Sequence, residues 1–234
     1  MIQYLATIVA LFLYVFYSCF TPSVYRYSGH TNKTILIIGS VHGNEPSGTL
    51  ACWQLIQYYQ HHQPTHNLII VPLPNPLGYY LGTRYQLKPF HNDLNRNFND
   101  VGKDRVSRII LEYVREADFV IDLHEGYEYH KRYPQSMGSS IVPNQSKVAQ
   151  VVANDILQSV NQTINDPDKQ FVVSDFYTRE QCYLPDSLAC YCNRHHIDYI
   201  SIETTGILMN TQPIDTRVSQ HTIAIKEIIQ KIYV

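Results

Sequence analysis

Charge is what this sequence has least of. Asp, Glu, Lys and Arg make up 16% of its 234 residues, against roughly 25% in an ordinary globular chain. Eighteen basic residues stand against 20 acidic ones, so no cationic surplus attracts a phosphate backbone, and nucleic acid is set aside as a partner. No internal repeat or low-complexity tract occurs, and there is one tryptophan. The five cysteines leave the compartment open. Cys19 lies in an apolar run, Cys52 on an expected helix, and Cys182, Cys190 and Cys192 cluster, with a disulfide among these three an open question. Sequons at Asn32, Asn144 and Asn161 carry little weight in a chain this rich in Asn and Thr. Tyrosine is the abundant residue, with 19 copies, enough to cover surface as well as core. The length suits one domain with a sizeable core.

The run from Tyr4 to Phe20 has no charged residue and lies at the lower edge of bilayer-spanning length. Residues 1–23 therefore read as a signal peptide or membrane anchor, with a buried core helix as the alternative. The expected location is membrane-anchored or secreted. Arg26 and Lys33 follow the run, too few to decide the side of the membrane.

Residues 24–234 alternate strand and helix signals. Thr34 to Val41 is a short β-branched run that reads as a buried strand. From Ser47 to about His62, apolar residues at Leu50, Trp53, Leu55, Ile56 and Tyr59 keep helical spacing, with Ser47 or Asn44 as N-cap. A strand over Asn67 to Leu73 follows, then a long loop punctuated by Pro, Gly and Asn to Asn99, a helix from about Asp104 to Glu116 and a strand over Phe119 to Leu123. Ser146 to Val160 reads as a helix, Tyr199 to Ile202 as a strand and Asp215 to Tyr233 as the last helix. The alternation predicts an α/β single domain whose mixed, mainly parallel central sheet is flanked by helices. The segment Pro134 to Pro185 gives the weakest pattern.

The positions of a few titratable residues carry the functional signal. His42 and Glu45 follow the first strand, His124 follows FVIDL, and Glu203 follows YISI, so all four fall at carboxyl ends of expected strands, where open α/β sheets bind ligands. Two imidazoles and a carboxylate with an open position for water are a known catalytic zinc set. His42, Glu45 and His124 supply it. Zinc lowers the pKa of bound water to ~7, and Glu203 stands where a general base could take the proton. Against these, Cys190-Tyr-Cys192 with His195-His196 lacks the spacing of a structural zinc site, and His61-His62 reads as a solvated helix end.

Six short motifs occur in order: HGNE at His42, NPLG at Asn75, GTRY at Gly82, DLNRNF at Asp93, IDLH ending at His124 and ETTG at Glu203. In these the chain, over about residues 34 to 206, resembles the zinc carboxypeptidase superfamily. The resemblance implies that Arg96 with Asn95 binds a substrate carboxylate, for which a planar guanidinium fork is suited. It implies that Arg84 polarises the scissile carbonyl and steadies the oxyanion. Asp93 either orients a metal-bound imidazole or caps its own turn. Glu125, after His124, either backs the ligand or faces solvent.

Two branches share these motifs. GTRY, IDLH and Ser136-Met-Gly-Ser-Ser-Ile141 are similar to aspartoacylase and succinylglutamate desuccinylase, which remove an acyl group from a small amino acid. NPLG, GTR and DLNRNF are similar to the small murein peptide amidases and carboxypeptidases. The chain departs from both: too few residues follow Glu203 for the β domain of aspartoacylase, and none of Tyr177, Tyr183 and Tyr191 can be assigned as the mobile-loop tyrosine of the digestive enzymes. The expectation is a zinc hydrolase, one ion per chain, cleaving an amide bond beside a carboxylate in a small molecule or peptide. The alternative from another class is a module that binds a carboxylate without hydrolysis.

Overall fold

The structure, a computed structural model, describes Tyr4 and residues 21–86, 92–175, 184–207 and 211–233. Its strands are β1 (Tyr25–Tyr27), β2 (Thr34–Ile38), β3 (Asn67–Val71), β4 (Phe119–Tyr127), β5 (Ser140–Pro143), β6 (Val172–Val173) and β7 (Asp198–Ile207). Its α-helices among the described residues are α1 (Pro46–Tyr59), α2 (Pro76–Leu81), α3 (Arg105–Glu116), α4 (Lys147–Asn161), α5 (Leu188–Arg194) and α6 (Ile214–Lys231). The strands form one sheet in the order β1-β3-β2-β4-β7-β5-β6. β3, β2, β4 and β7 run parallel, β1 and β5 pair antiparallel to β3 and β7, and β6 runs parallel to β5. This is the mixed, mainly parallel sheet expected.

The apolar runs of β2 and β3 follow from burial on both faces, as in parallel sheets covered by helices. Side chains alternate across a strand. Ile35, Ile37, Ile70, Ile121 and Ile202 therefore join a core that includes Leu55 of α1, Ile156 of α4 and Ile225 of α6. Leu36, Ile38, Ile69 and Val120 meet Ile110 and Val114 of α3 and Leu188 of α5 on the other side. Three helix starts are capped locally: Asp104 and Ser107 form a reciprocal capping box on α3, and Ser146 and Ser187 cap α4 and α5.

Two expectations need correction. The N-cap of α1 is Glu45, not Ser47 or Asn44, and the Glu45 side chain makes no capping bond. Pro46 sets this boundary, because its fixed φ and missing N–H suit the first helical position. β4 and β7 also run past Leu123 and Ile202, since they go on pairing through Tyr127 and Ile207 after β2 has ended opposite Asp122. His124 and Glu203 thus lie inside strands, on a two-stranded ledge beyond the carboxyl end of β2. The segment Pro134 to Pro185, weakest in pattern, holds β5, β6 and the helix expected over Ser146 to Val160, here α4.

Cys190 is disulfide-bonded, while Cys52 and Cys192 are free and buried. Cys19 and Cys182 lie outside the described residues, as does the apolar run apart from Tyr4. Among the described residues no helix is long and apolar enough to cross a membrane.

Candidate active site

The loop between β2 and α1 brings His42 and Glu45 to the ledge where β4 presents His124 and β7 presents Glu203. His124 and Glu203 are direct register partners across the two parallel strands. Tight backbone passage shapes the loop: a Cβ at Gly43 would lie 1.9 Å from the carbonyl carbon of Gly78 in α2, so only glycine fits there. His42, Glu45 and His124 each offer a ligand atom within 4.8 Å of the others, and all three residues are buried.

The orientation of the two rings is informative. His42 turns Nδ1 to Glu45 Oε1 at 2.7 Å and Nε2 to Asp93 Oδ1 at 3.1 Å. His124 turns Nδ1 to Glu45 Oε2 at 3.0 Å and Nε2 to Asp122 Oδ2 at 3.1 Å. Each ring thus has one nitrogen against a carboxylate behind it and the other facing the common point that Glu45 shares. Metal-bound histidines are commonly oriented in this way. The donor set, two imidazoles and one carboxylate, suits zinc, so the residues fit the ion the sequence led us to expect.

Asp93 meets the His42 ring and also caps its own turn, since the same oxygen accepts from Asn95 N at 2.9 Å at the start of the 3-10 turn Leu94–Arg96. Its other oxygen meets Arg84 Nε at 3.1 Å, and Arg84 Nη1 reaches Glu45 Oε1 at 3.3 Å. Asn95 Oδ1 accepts from Leu188 N at the start of α5, 3.0 Å away, and Arg96 Nη1 donates to Asn95 O at 2.7 Å. His42, Glu45, Arg84, Asn95, Arg96, His124 and Glu203 all line one cavity of about 240 Å³, to which Tyr127, Met137, Leu184 and Ile207 also contribute. A cavity of about 480 Å³ lies elsewhere, near Arg132, Asp166 and Lys169. Its cations are already paired with Asp166.

Burial and charge act against each other throughout. Burial would push the Glu45 carboxyl up, but His42 and His124 on either side hold it well below the usual carboxylate range. Asp93 is likewise held low against burial by His42, Arg84 and Arg96. Burial also opposes charge on the imidazoles, yet Glu45 and Asp93 raise His42, and Asp122 and Glu203 raise His124 well above its ordinary value. Glu203, which accepts from Ser201 Oγ at 3.0 Å, is pushed by burial up to about 7, with His124 opposing. A carboxyl in that range can both take and return a proton near neutrality.

The sequence reading missed Asp122, Tyr199 and Arg217. Asp122 lies two residues before His124 on the same side of β4 and accepts from Tyr199 OH at 2.9 Å. An acid at that spacing inside an apolar run was the signal available. Arg217, on α6, forms a buried ion pair with Glu125, so Glu125 does not face solvent. No local motif marked Arg217. Tyr191 is buried in the core beside α3, where Arg115 Nε donates to its hydroxyl, and cannot serve as a loop tyrosine. Tyr177 and Tyr183 lie outside the described residues.

The α/β sheet thus carries, on one ledge, a buried His-Glu-His cluster that could hold a metal ion and an acid beside it. Residues 31–162 match the model of the succinylglutamate desuccinylase/aspartoacylase catalytic domain, and the chain belongs to that family. In fold it is similar to Csd4 of Helicobacter pylori, described as a D,L-carboxypeptidase in its mDAP-bound form. That structure has a TM-score of 0.73 and 18% identity over 89% of this chain and 54% of the other. The tripeptide-bound Csd4 structure gives a TM-score of 0.72 at 17% identity, over 90% and 55%. The product-bound ectoine utilization protein EutE (DoeB) of Ruegeria pomeroyi gives 0.62 at 16% identity, over 88% and 59%. The chain thus spans about half the length of the Csd4 structures. No curated protein matches it in sequence.

Proposed function

We propose that this protein is a zinc-dependent hydrolase that cleaves an amide bond adjacent to a substrate carboxylate, with small N-acyl amino acids as its substrates. The observation that carries this is the cavity itself, where two imidazole nitrogens and Glu45 converge beside Glu203 and Arg96. His42, Glu45 and His124 would hold the ion, which supplies Lewis acidity at the carbonyl and at the attacking water. Glu203 takes the proton from that water and returns it to the leaving amine. Arg96 and Asn95 hold the substrate carboxylate through charge-assisted hydrogen bonds, and Arg84 steadies the negative charge that develops on the carbonyl oxygen. Membership of the desuccinylase and aspartoacylase family supports the acyl-amino-acid reading.

A second reading, removal of a residue from a peptide end, is favoured by the likeness of fold to Csd4, a D,L-carboxypeptidase with tripeptide-bound and mDAP-bound structures. The deciding experiment measures zinc content and chelator-sensitive turnover against a panel of N-acyl amino acids and peptides with free carboxyl ends. One zinc per chain with release of an amino acid from the first group supports the proposal, and release from peptides alone selects the second reading. No stoichiometric metal and no turnover would leave a carboxylate-binding module.

The apolar run near the N-terminus and the disulfide at Cys190 support export to an oxidising compartment. External protease digesting the protein on intact cells, or its recovery from the medium, agrees with export. Full protection inside the cytoplasm refutes it.

A further inference from the structure

Helix α1 begins without help from its own N-cap. The Glu45 side chain is turned to the two imidazoles and makes no capping bond, so a first-turn N–H of α1 needs another acceptor. Ser47 N finds it in Glu125 Oε1, 2.7 Å away on β4. The main-chain N–H of the same Glu125 donates to Glu45 Oε2 at 3.0 Å. One residue therefore caps the helix from a neighbouring strand and also holds the carboxylate that the helix's own N-cap presents.

The surroundings are built for this arrangement. Glu125 is 2% exposed, and its other oxygen pairs with Arg217 of α6, whose Nε donates to Gln212 O at 3.0 Å. A Cβ at Gly206 of β7 would lie 1.5 Å from Glu125 Oε2 and 2.6 Å from Arg217 Nη1, so the pair occupies the space a side chain would need. A Cβ at Gly48 would lie 2.7 Å from the Leu123 Cβ, which shows how closely the first turn of α1 presses on β4.

We propose that Glu125 is a positioning residue of the metal centre: it caps α1 in place of Glu45 and so frees the Glu45 carboxylate to act as a ligand. Arg217 neutralises the buried charge that this role requires. Without Glu125, the bare N–H groups at the start of α1 compete for Glu45, the nearest carboxylate left, and draw it from the imidazoles. This inference rests on the zinc reading above.

The test is the zinc dissociation constant, measured by competition with a chromophoric chelator, together with the melting temperature of the metal-free protein. Glu125→Met with Arg217→Met replaces the ion pair by apolar side chains of similar length, a change that buried pairs often tolerate. The double variant is expected to melt near wild type yet bind zinc about 10- to 100-fold more weakly, the usual cost of losing a group behind a ligand. Glu125→Gln keeps an acceptor oxygen for Ser47 N and should lose less affinity than Glu125→Met. Gly206→Ala, which presses on the pair from β7, should weaken zinc binding in the same direction. Wild-type zinc affinity in the double variant, or in Gly206→Ala, overturns the inference while leaving the zinc reading intact. If the double variant fails to fold, equal losses in Glu125→Gln and Glu125→Met overturn it too. Absence of stoichiometric zinc in the wild-type protein sinks the functional reading instead.

Discussion

The two edges of the sheet handle charge in opposite ways. Around the amino ends of β2 and β4, each acid has its own cation in partly solvated surroundings. Lys33 Nζ meets Asp118 Oδ1 at 2.8 Å, and Arg26 meets Glu116 through two bonds of 2.7 and 2.9 Å. At the carboxyl edge, Glu45, Asp93, Asp122, Glu125 and Glu203 crowd together, and among the described residues only Arg84, Arg96 and Arg217 stand with them as permanent cations. Four of those acids, Glu45, Asp93, Asp122 and Glu203, touch or face the same two imidazoles. Pairs at the first edge tie segment ends together. Among the described residues the second edge carries more acid than its arginines neutralise, at a cost in stability. A divalent cation among His42, Glu45 and His124 would restore the balance.

The comparison is sharpest at Glu203, which makes no ion pair with any permanent cation among the described residues. If it is the base, Glu203→Gln should keep the zinc content of the wild type and lower kcat by about 10²- to 10⁴-fold, the usual contribution of general base catalysis. Turnover within a few-fold of wild type would remove Glu203 from the mechanism and leave its burial unexplained.

β4 contains the same contrast within one strand. Phe119 to Ile121 and Asp122 to Gly126 are all buried, but the first stretch is apolar core and the second is polar ledge. Ile121→Ala should cost about 2–5 kcal/mol of unfolding free energy, the range for truncating a fully buried isoleucine, with zinc affinity unchanged. Asp122→Asn should do the reverse, weakening zinc binding about 10- to 100-fold through His124 with a smaller change in the melting temperature of the metal-free protein. Denaturant melts and chelator competition on both variants check the pair. If Asp122→Asn is the more destabilising and binds zinc normally, the polar half of β4 is structural.

The boundary inside β4 also shows what could be read in the sequence. Continuous β-branched runs such as Thr34–Ile38 announce strands buried on both faces, and helical spacing announces α1, α3, α4 and α6, so the layered fold was legible. The motif residues His42, Glu45, His124 and Glu203 were legible because they follow those runs. The ledge was not, because Glu125-Gly126-Tyr127 and Thr204-Thr205-Gly206 read as loop until β4 and β7 are seen to pair beyond β2. The antiparallel pairing of β5 with β7 is a long-range choice that four residues do not encode. Arg217 was hidden for a related reason: it is one polar residue on an amphipathic helix, and only the packing of α6 against the ledge gives it a buried partner.

The smallest effect belongs to the amino edge. In the Arg26–Glu116 pair the two side chains are 52% and 47% exposed, so water and salt screen most of the attraction, and pairs of this kind contribute about 0.2–1 kcal/mol. The hydrogen bond from Arg26 lowers the Glu116 carboxyl below its ordinary 4.5. A depressed folded-state value means that the pair's contribution is fully present above pH 4.5 and is lost as the pH falls through the lowered value, because the unfolded chain takes up the proton first. Glu116→Gln should therefore reduce stability slightly at pH 7 and not at all once the acid is protonated, and added salt should shrink the difference at pH 7. Urea melts of the two proteins at pH 7 and at pH 3, with and without salt, measure it. A loss of several kcal/mol at pH 7 would show that the amino edge, too, depends on a charge that water does not screen, and the contrast between the two edges would fail.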